Sequence, residues 1–443
     1  MNFRDLVFWF KNYAFRPNAI NQYKEALNNQ TQSIDDIKRI NWEKRKKLII
    51  YAYENIPFYK KFYDDNKFNP YLLKDEMDWS NVPILEKKYV REFNEEFKNP
   101  NVNPKYFNQS STGGSTGVPL KIYYDNRFNY EVLGWRAFTW WNISPADNVG
   151  IVHRRVGTSL IKTLKNRILW WPTKRAYLNA TSMSDKEIAN FVNNLLKHKT
   201  IWLQGYVGAL ERIADYIIQN KIEITTLKMV WSTSAPLYMN VRSKMERAFH
   251  CRIMDQYGSN EIMNIALQCP ISNNLHINYD FVHVETINDK NQIVFNEEGE
   301  ILVTNLTSFV FPLIRYKLGD KGCLLTEKCK CGINLPIMKS VKGRVSDSLY
   351  TPSGLYIDGN YMNSIFDLYY DYVDKFQIVQ KKDYSIIVYV VTKDVPGVDC
   401  ILHKIEERLK LDVRNEIPIR IKVVDNINDD KGKIRYIINE MNL

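Results

Sequence analysis

No apolar run in this 443-residue chain reaches the about 18 residues that a membrane-spanning helix needs. The early stretch Leu6 to Phe10 is apolar, but Lys11 and Arg16 interrupt it and no small-residue cleavage site follows. A signal peptide is therefore not expected, and a cytoplasmic protein is, with membrane contact through Leu6 to Phe10 left open. Cysteine is scarce too. Six residues (Cys251, Cys269, Cys323, Cys329, Cys331 and Cys400) in a chain of this length do not read as a disulfide framework. The sequence also lacks an RNP-type motif, a long Lys/Arg tail, internal repeats and low-complexity tracts. A formal charge of +11 thus points to anions in general and excludes no small phosphorylated ligand. Sequence-specific nucleic-acid recognition is the weaker use of that charge.

Residues 1–100 read as mostly helical. Ile37, Ile40, Leu48 and Ile49, spaced between charges in Asp35 to Tyr53, fit an amphipathic helix that Pro57 and Asn69-Pro70 interrupt. Short apolar runs then alternate with helical patterns. Asn148 to His153, Thr200 to Leu203, Met229 to Thr233 and Arg252 to Tyr257 predict strands, and Ala209 to Ile218 predicts a helix. That order argues for an α/β body with largely parallel sheets. Gln292 to Thr304 reads as strand, Asn-Glu-Glu-Gly turn and strand, an antiparallel hairpin in a β-rich subdomain. Beyond Gly343, a hairpin (Phe376 to Val379, Tyr384 to Val391), a helix near Cys400 to Leu411 and a strand at Ile417 to Val424 predict a small α+β unit. The expected division is a helical region at 1–100, a core at 101–346 and a C-terminal domain at 347–443.

The most informative segment is Ser110-Ser111-Thr112-Gly113-Gly114-Ser115-Thr116-Gly117. Three glycines permit backbone shapes that side chains forbid, and successive N–H groups can then cradle anionic oxygens. No Lys-Ser/Thr pair follows, so this is not a P-loop. On composition alone, a flexible surface linker reads the same way. Three further segments bring carboxylates and a cation: Tyr257-Gly258-Ser259-Asn260-Glu261, Arg315-Tyr316-Lys317-Leu318-Gly319-Asp320 and Gly343-Arg344-Val345-Ser346-Asp347. In the second, Asp320 is expected after a tight turn, able to accept from vicinal hydroxyls. Cys269, His276, Cys329 and Cys331 supply three thiols and an imidazole, enough for a tetrahedral zinc ion or simply inert thiols. Cys251, Cys323 and Cys400 read as ordinary buried thiols. His153-Arg154-Arg155 ends a predicted strand, facing a cleft or only solvent, and the tryptophans at 135, 140, 141, 170, 171 and 202 read chiefly as core.

The order and spacing of these segments, with Gly432-Lys433 near the end, resemble the adenylate-forming superfamily of acyl-CoA synthetases. Within it the chain is most similar to the phenylacetate–CoA ligase and CapK-like capsular-polysaccharide branch, including Tyr51, Asn55, Pro57, Phe58, Tyr59 and Val82-Pro83-Ile84-Leu85. The resemblance implies a large body and a small C-terminal domain on a hinge. It implies ATP phosphates held by Ser111, Thr112, Gly113, Gly114, Ser115, Thr116 and Gly117, with Tyr257 and Gly258 flanking adenine. Glu261 would bind Mg²⁺, Asp320 the ribose hydroxyls with Arg344 nearby, Asp347 would be the hinge, and Lys433 the swinging catalytic lysine. It also implies that Cys269, His276, Cys329 and Cys331 hold a structural Zn²⁺.

The implied reaction is activation of a carboxylate as acyl-AMP, then acyl transfer to an amine or hydroxyl of a sugar or capsule precursor. CoA as acceptor is the alternative, and a non-catalytic nucleotide binder or a nucleic-acid binder stands behind both. A homodimer is left open. Two departures stand out: Asn260 replaces the usual Thr before Glu261, and Lys121 lies one place later than the lysine of many relatives.

Overall fold

Four helices occupy the first 65 residues, each placed by a local signal. The structure, a computed structural model, describes residues 2–111, 120–153, 168–180, 183–234, 236–237, 239–341, 349–353, 356–357, 366, 369, 371–427 and 436–441. The Ile34–Asn55 helix is capped by Ser33, whose hydroxyl accepts from the Asp36 N–H, and Ile37, Asn41, Arg45, Leu48, Ile49 and Ala52 line its buried face at three- and four-residue spacing. Pro57 then opens the Pro57–Asp65 helix at a position where a missing N–H costs nothing.

Five parallel strands form one side of a nine-stranded sheet. In space they run Arg175–Asn179, Val149–His153, Trp202–Tyr206, Met229–Thr233 and Arg252–Tyr257. The helices Asp185–His198, Val207–Gln219 and Met239–Phe249 pack Ile188, Leu195, Leu210, Ile213, Met245 and Phe249 against it. A second cluster holds Phe8, Trp135, Phe138, Trp202 and Trp231. Such strands need burial on both faces, which is why they read as continuous apolar runs rather than alternation. Beyond Arg252–Tyr257 the sheet turns antiparallel through Ala266–Gln268, Leu275–Ile277, Ile337–Met338 and Leu324–Leu325.

A separate antiparallel sheet contains Val282–Ile287, Gly299–Asn305 and Tyr316–Gly322. Here the structure corrects the expected hairpin. The partner of Gly299–Asn305 is Val282–Ile287, not the residues after Gln292. Ile293 makes only an isolated bridge to Ile287, and Asn291 and Asn296 take φ of 59° and 62°, which ends any strand between them.

The C-terminal elements follow their expected pattern. Val373–Gln380 and Ile386–Thr392 pair antiparallel, flanked by Ile437–Asn439 and Ile419–Val423, and the Val398–Asp412 helix buries Leu402, Ile405 and Leu409 in a cluster of their own. Of the three cysteines expected to be buried only Cys323 is. Cys251 is half-buried and Cys400 is exposed in the first turn of that helix.

Candidate active site

Two five-residue segments, Tyr257 to Glu261 and Tyr316 to Asp320, are laced together by a pair of tyrosine–carboxylate hydrogen bonds. The Tyr257 hydroxyl donates to Asp320 Oδ2 at 3.1 Å, and the Tyr316 hydroxyl donates to Glu261 Oε1 at 3.4 Å. The first segment leaves the end of its strand in a tight turn. Ser259 Oγ accepts from the N–H groups of Glu261 and Ile262, both at 3.1 Å, and the Ser259 N–H donates to the Ile262 carbonyl at 2.9 Å. A Cβ on Gly258 would stand 2.9 Å from the Asn264 backbone nitrogen, so this turn requires glycine. Asp320 does not follow a tight turn, as expected from sequence, but lies inside the Tyr316–Gly322 strand. There the register jumps: Leu302 pairs Lys317 while Glu300 pairs Lys321, so Leu318, Gly319 and Asp320 bulge out opposite Ile301. Gly319 takes φ 81° and makes the bulge possible.

Glu261 is almost fully buried, its side chain 2% exposed, and Lys87 Nζ lies 2.9 Å from Oε1. A buried carboxylate is costly unless paired and hydrogen-bonded, and Lys87 with Tyr316 meets that demand. The lysine is delivered by backbone pairing: Leu85 N–H donates to the Arg315 carbonyl at 3.0 Å, and Lys317 N–H to the Leu85 carbonyl at 2.9 Å. Beneath it, buried Arg315 pairs with Glu285 at 3.0 Å and donates to the Ser80 and Val82 carbonyls at 2.9 and 2.5 Å. The Val82-Pro83-Ile84-Leu85 run therefore positions a cation.

The glycine-rich segment is rooted beside this corner. Phe107–Ser111 and Lys121–Asp125 pair antiparallel with Ser111 opposite Lys121, so the segment between them starts and ends at one place. From the second strand the Tyr124 hydroxyl donates to the carbonyl of Asn260, the residue before Glu261. Burial pushes the Tyr124 phenol up to about 12, with the Glu261 charge adding in the same direction, so it stays a donor. Thr112 to Gly117, Arg344, Asp347 and Lys433 lie outside the described residues, as does the Ser111 side chain.

The corner stands at the carboxyl ends of the parallel strands, where ligands bind in open α/β sheets. At the same edge His153 and Tyr206 end neighbouring strands, with the Tyr206 hydroxyl 3.3 Å from His153 Nδ1. Trp135, Trp141 and Trp202 are buried, as core packing requires, whereas Trp171 is 57% exposed.

Cys269, His276, Cys329 and Cys331 come together, with one ligand atom from each all within 4.8 Å of one another. Cys269 Sγ lies 3.7 Å from Cys329 Sγ, and Cys331 Sγ 3.2 Å from His276 Nε2. His276 Nδ1 lies 3.2 Å from the Leu335 carbonyl. A carbonyl only accepts, so Nδ1 carries the proton and the Nε2 lone pair faces the thiols. Burial pushes the imidazole down to about 4 and the Cys331 thiol up to about 12. The strands position the group: His276 pairs with Ile337 just after the Cys329–Cys331 loop, and Gln268 before Cys269 pairs with Leu275.

Residues 349–440 match the CapK C-terminal domain family. The chain is 25% identical over 349 residues to protein CapK of Staphylococcus aureus, covering 74% of each. It is 23% identical over 347 residues to the phenylacetate–coenzyme A ligase of Escherichia coli K12, covering 72% of this chain and 74% of that one. Among solved structures, 2-hydroxyisobutyryl-CoA ligase superposes with a TM-score of 0.76 at 16% identity, covering 93% and 91% of the two chains. By sequence the chain is similar to CapK and to phenylacetate–coenzyme A ligases, and it shares the fold of 2-hydroxyisobutyryl-CoA ligase.

Sequence reasoning singled out Tyr257, Glu261 and Asp320, which the structure brings to one corner, but not Lys87, Tyr316 and Tyr124, which join them there. Lys87 had a signal, since it lies two residues after Val82-Pro83-Ile84-Leu85. Tyr316 sat inside a segment chosen only for its aspartate. Tyr124 had none, because its partner is a backbone carbonyl 136 residues away.

Proposed function

We propose that this chain activates a carboxylate with ATP, forming acyl-AMP and pyrophosphate, and then transfers the acyl group to a second nucleophile. The observation that carries this reading is the pair of carboxylates, Glu261 and Asp320, laced to Tyr316 and Tyr257 beside Lys87 and the root of the glycine-rich segment. Asp320 accepts from the ribose hydroxyls, Tyr257 and Gly258 flank the adenine, and Ser111 to Gly117 wrap the phosphates with Arg344 near the ribose. Glu261, buried and already holding one cation, fits a magnesium ligand. Bound magnesium supplies positive charge that offsets the repulsion between an attacking carboxylate and the α-phosphate. Lys87 adds a second cation, free to turn from Glu261 toward phosphate oxygens. Lys433 reaches the reacting groups for adenylation, and the 347–443 domain turns about Asp347 to admit the acceptor.

The carboxyl-end position of His153 and Tyr206 makes them candidates for the acyl pocket. For the acceptor we propose an amine or hydroxyl of a sugar or capsule precursor, in line with the CapK C-terminal match. The phenylacetate–coenzyme A ligase relatives favour CoA as a second reading. Cys269, His276, Cys329 and Cys331 fit zinc: three sulfurs, one nitrogen with its tautomer fixed, and no vacant protein position. Its place is structural, joining the ends of the segment between Cys269 and Cys331.

Pyrophosphate release is to be screened across aromatic acids, amino acids and uronic acids, followed by product analysis with CoA present and absent. Thioester would replace the sugar-acceptor reading by the CoA reading. No pyrophosphate from any acid, with ATP binding intact, would remove the ligase proposal itself.

A further inference from the structure

The Phe3–Phe15 helix is buried on one face and apolar on the other. Phe8 and Asn12 point inward, and Phe8 meets Trp135 edge-on at 5.4 Å while Trp9 stacks on Tyr23 at 5.1 Å, so the helix is locked to the body. On its other side Phe3, Leu6, Phe10 and Tyr13 recur at three- and four-residue spacing and are 60, 54, 69 and 55% exposed. A second segment extends this stripe. Leu169 and Trp171 are 61 and 57% exposed, Phe3 contacts Trp171 edge-on at 5.7 Å, and Lys11 Nζ donates to the carbonyls of Leu169 at 3.0 Å and Trp171 at 2.7 Å. Scattered exposed apolar residues need no explanation, but a contiguous aromatic face does.

The rim of this face is basic. Arg4 follows Phe3, Lys11 sits between the two segments, and Lys24 Nζ lies 5.3 Å from the Tyr13 ring. Asp5, the acidic residue of the helix, is spent on the Asn2 N–H at 3.2 Å and the Ser144 hydroxyl. Two copies of this face meeting each other would bring like-charged rims together. An anionic lipid surface instead offers apolar depth for the rings and negative headgroups for the rim. At 13 residues the helix is too short to cross a bilayer, so it would lie in the interface plane.

We propose that this face docks the protein on anionic bilayer surfaces. The inference stands apart from the reaction above and holds for any acceptor. It is tested by flotation of the full chain with phosphatidylcholine vesicles, with and without phosphatidylglycerol. The expected result is recovery with the anionic vesicles, at least about tenfold over the neutral ones and weakened by salt. The Phe10→Ser/Trp171→Ser double variant should lose about tenfold of that recovery while releasing pyrophosphate in solution as the wild type does. Should the double variant lose its fold, brominated lipid supplies the check: it quenches wild-type fluorescence, and the conservative Trp171→Phe change removes part of that quenching. Wild type left unbound by both vesicle types overturns the proposal, as does undiminished binding by a folded double variant. So does a wild-type dimer that the double variant splits, which would make the face a contact between copies.

Discussion

The carboxylate corner and the thiol–imidazole group both bury polar side chains, but they meet the cost in opposite ways. At the corner Glu261 is charged and balanced by Lys87, 2.9 Å away. At the other group, burial raises the Cys269 and Cys331 thiols and depresses His276, so these three groups favour their neutral forms in the metal-free chain. A charge held by an exchangeable side-chain cation suits a step in which charges move. Ligands from strands and loops up to 62 residues apart suit a staple.

The comparison can be broken at several points. Glu261→Gln should lower pyrophosphate release by about 10³-fold, an effect of about 4 kcal/mol, with little change in melting temperature. If release falls less than tenfold, Glu261 does not hold the reacting cation. At the other group the expected loss is stability. Cys329→Ser or strong chelation should cost about 3 kcal/mol of stability, at the low end for a structural zinc site, and leave adenylation at low temperature within about threefold. Folded wild type containing no zinc by elemental analysis would leave that group as simple thiols.

The same group predicts an acid limit in the metal-free chain. His276 is held at about 4 when folded against 6.5 when exposed, so the folded state binds its proton later than the unfolded one. Stability is therefore full above pH 6.5 and falls by about 3 kcal/mol as pH drops to 4. A urea midpoint followed through this window should show the loss, and His276→Asn should reduce it, leaving the contribution of His283, which burial also holds below its usual range.

A smaller test returns to the corner. Lys87→Met leaves Glu261 buried without its cation and should lower activity by about 30-fold, about 2 kcal/mol. Magnesium should then raise the melting temperature of this variant more than that of the wild type. An equal response in both would mean that Glu261 does not receive the metal. Smallest of all, Tyr257→Phe removes one hydrogen bond to Asp320 and should raise the KM for ATP by about fivefold, near 1 kcal/mol. An unchanged KM would detach Asp320 from nucleotide binding.

Much of this architecture was legible beforehand. Strands buried on both faces leave continuous apolar runs, so Val149–His153, Met229–Thr233 and Arg252–Tyr257 appear in the sequence itself. Glycine marks Gly258, where any side chain would strike the Asn264 backbone. Tyr257, Glu261 and Asp320 were visible because glycine stands beside a functional group in each segment. The false hairpin at Gln292 to Thr304 arose because Asn-Glu-Glu-Gly looks like a turn, while the real pairing joined strands with eleven residues between them.

By itself the sequence determined local matters: which segments are helices or strands, where the backbone must bend, and which side chains can carry charge or bind metal. These follow from periodicity, capping and side-chain chemistry, all short-range properties. The tertiary structure alone decided that Lys87 meets Glu261, that Tyr257 and Tyr316 exchange carboxylates across two strands, and that three sulfurs and one nitrogen meet within 4.8 Å. It also left the Phe3 to Tyr13 stripe uncovered. Those pairings depend on register and strand order, and register is fixed only when distant segments bury their apolar faces against each other.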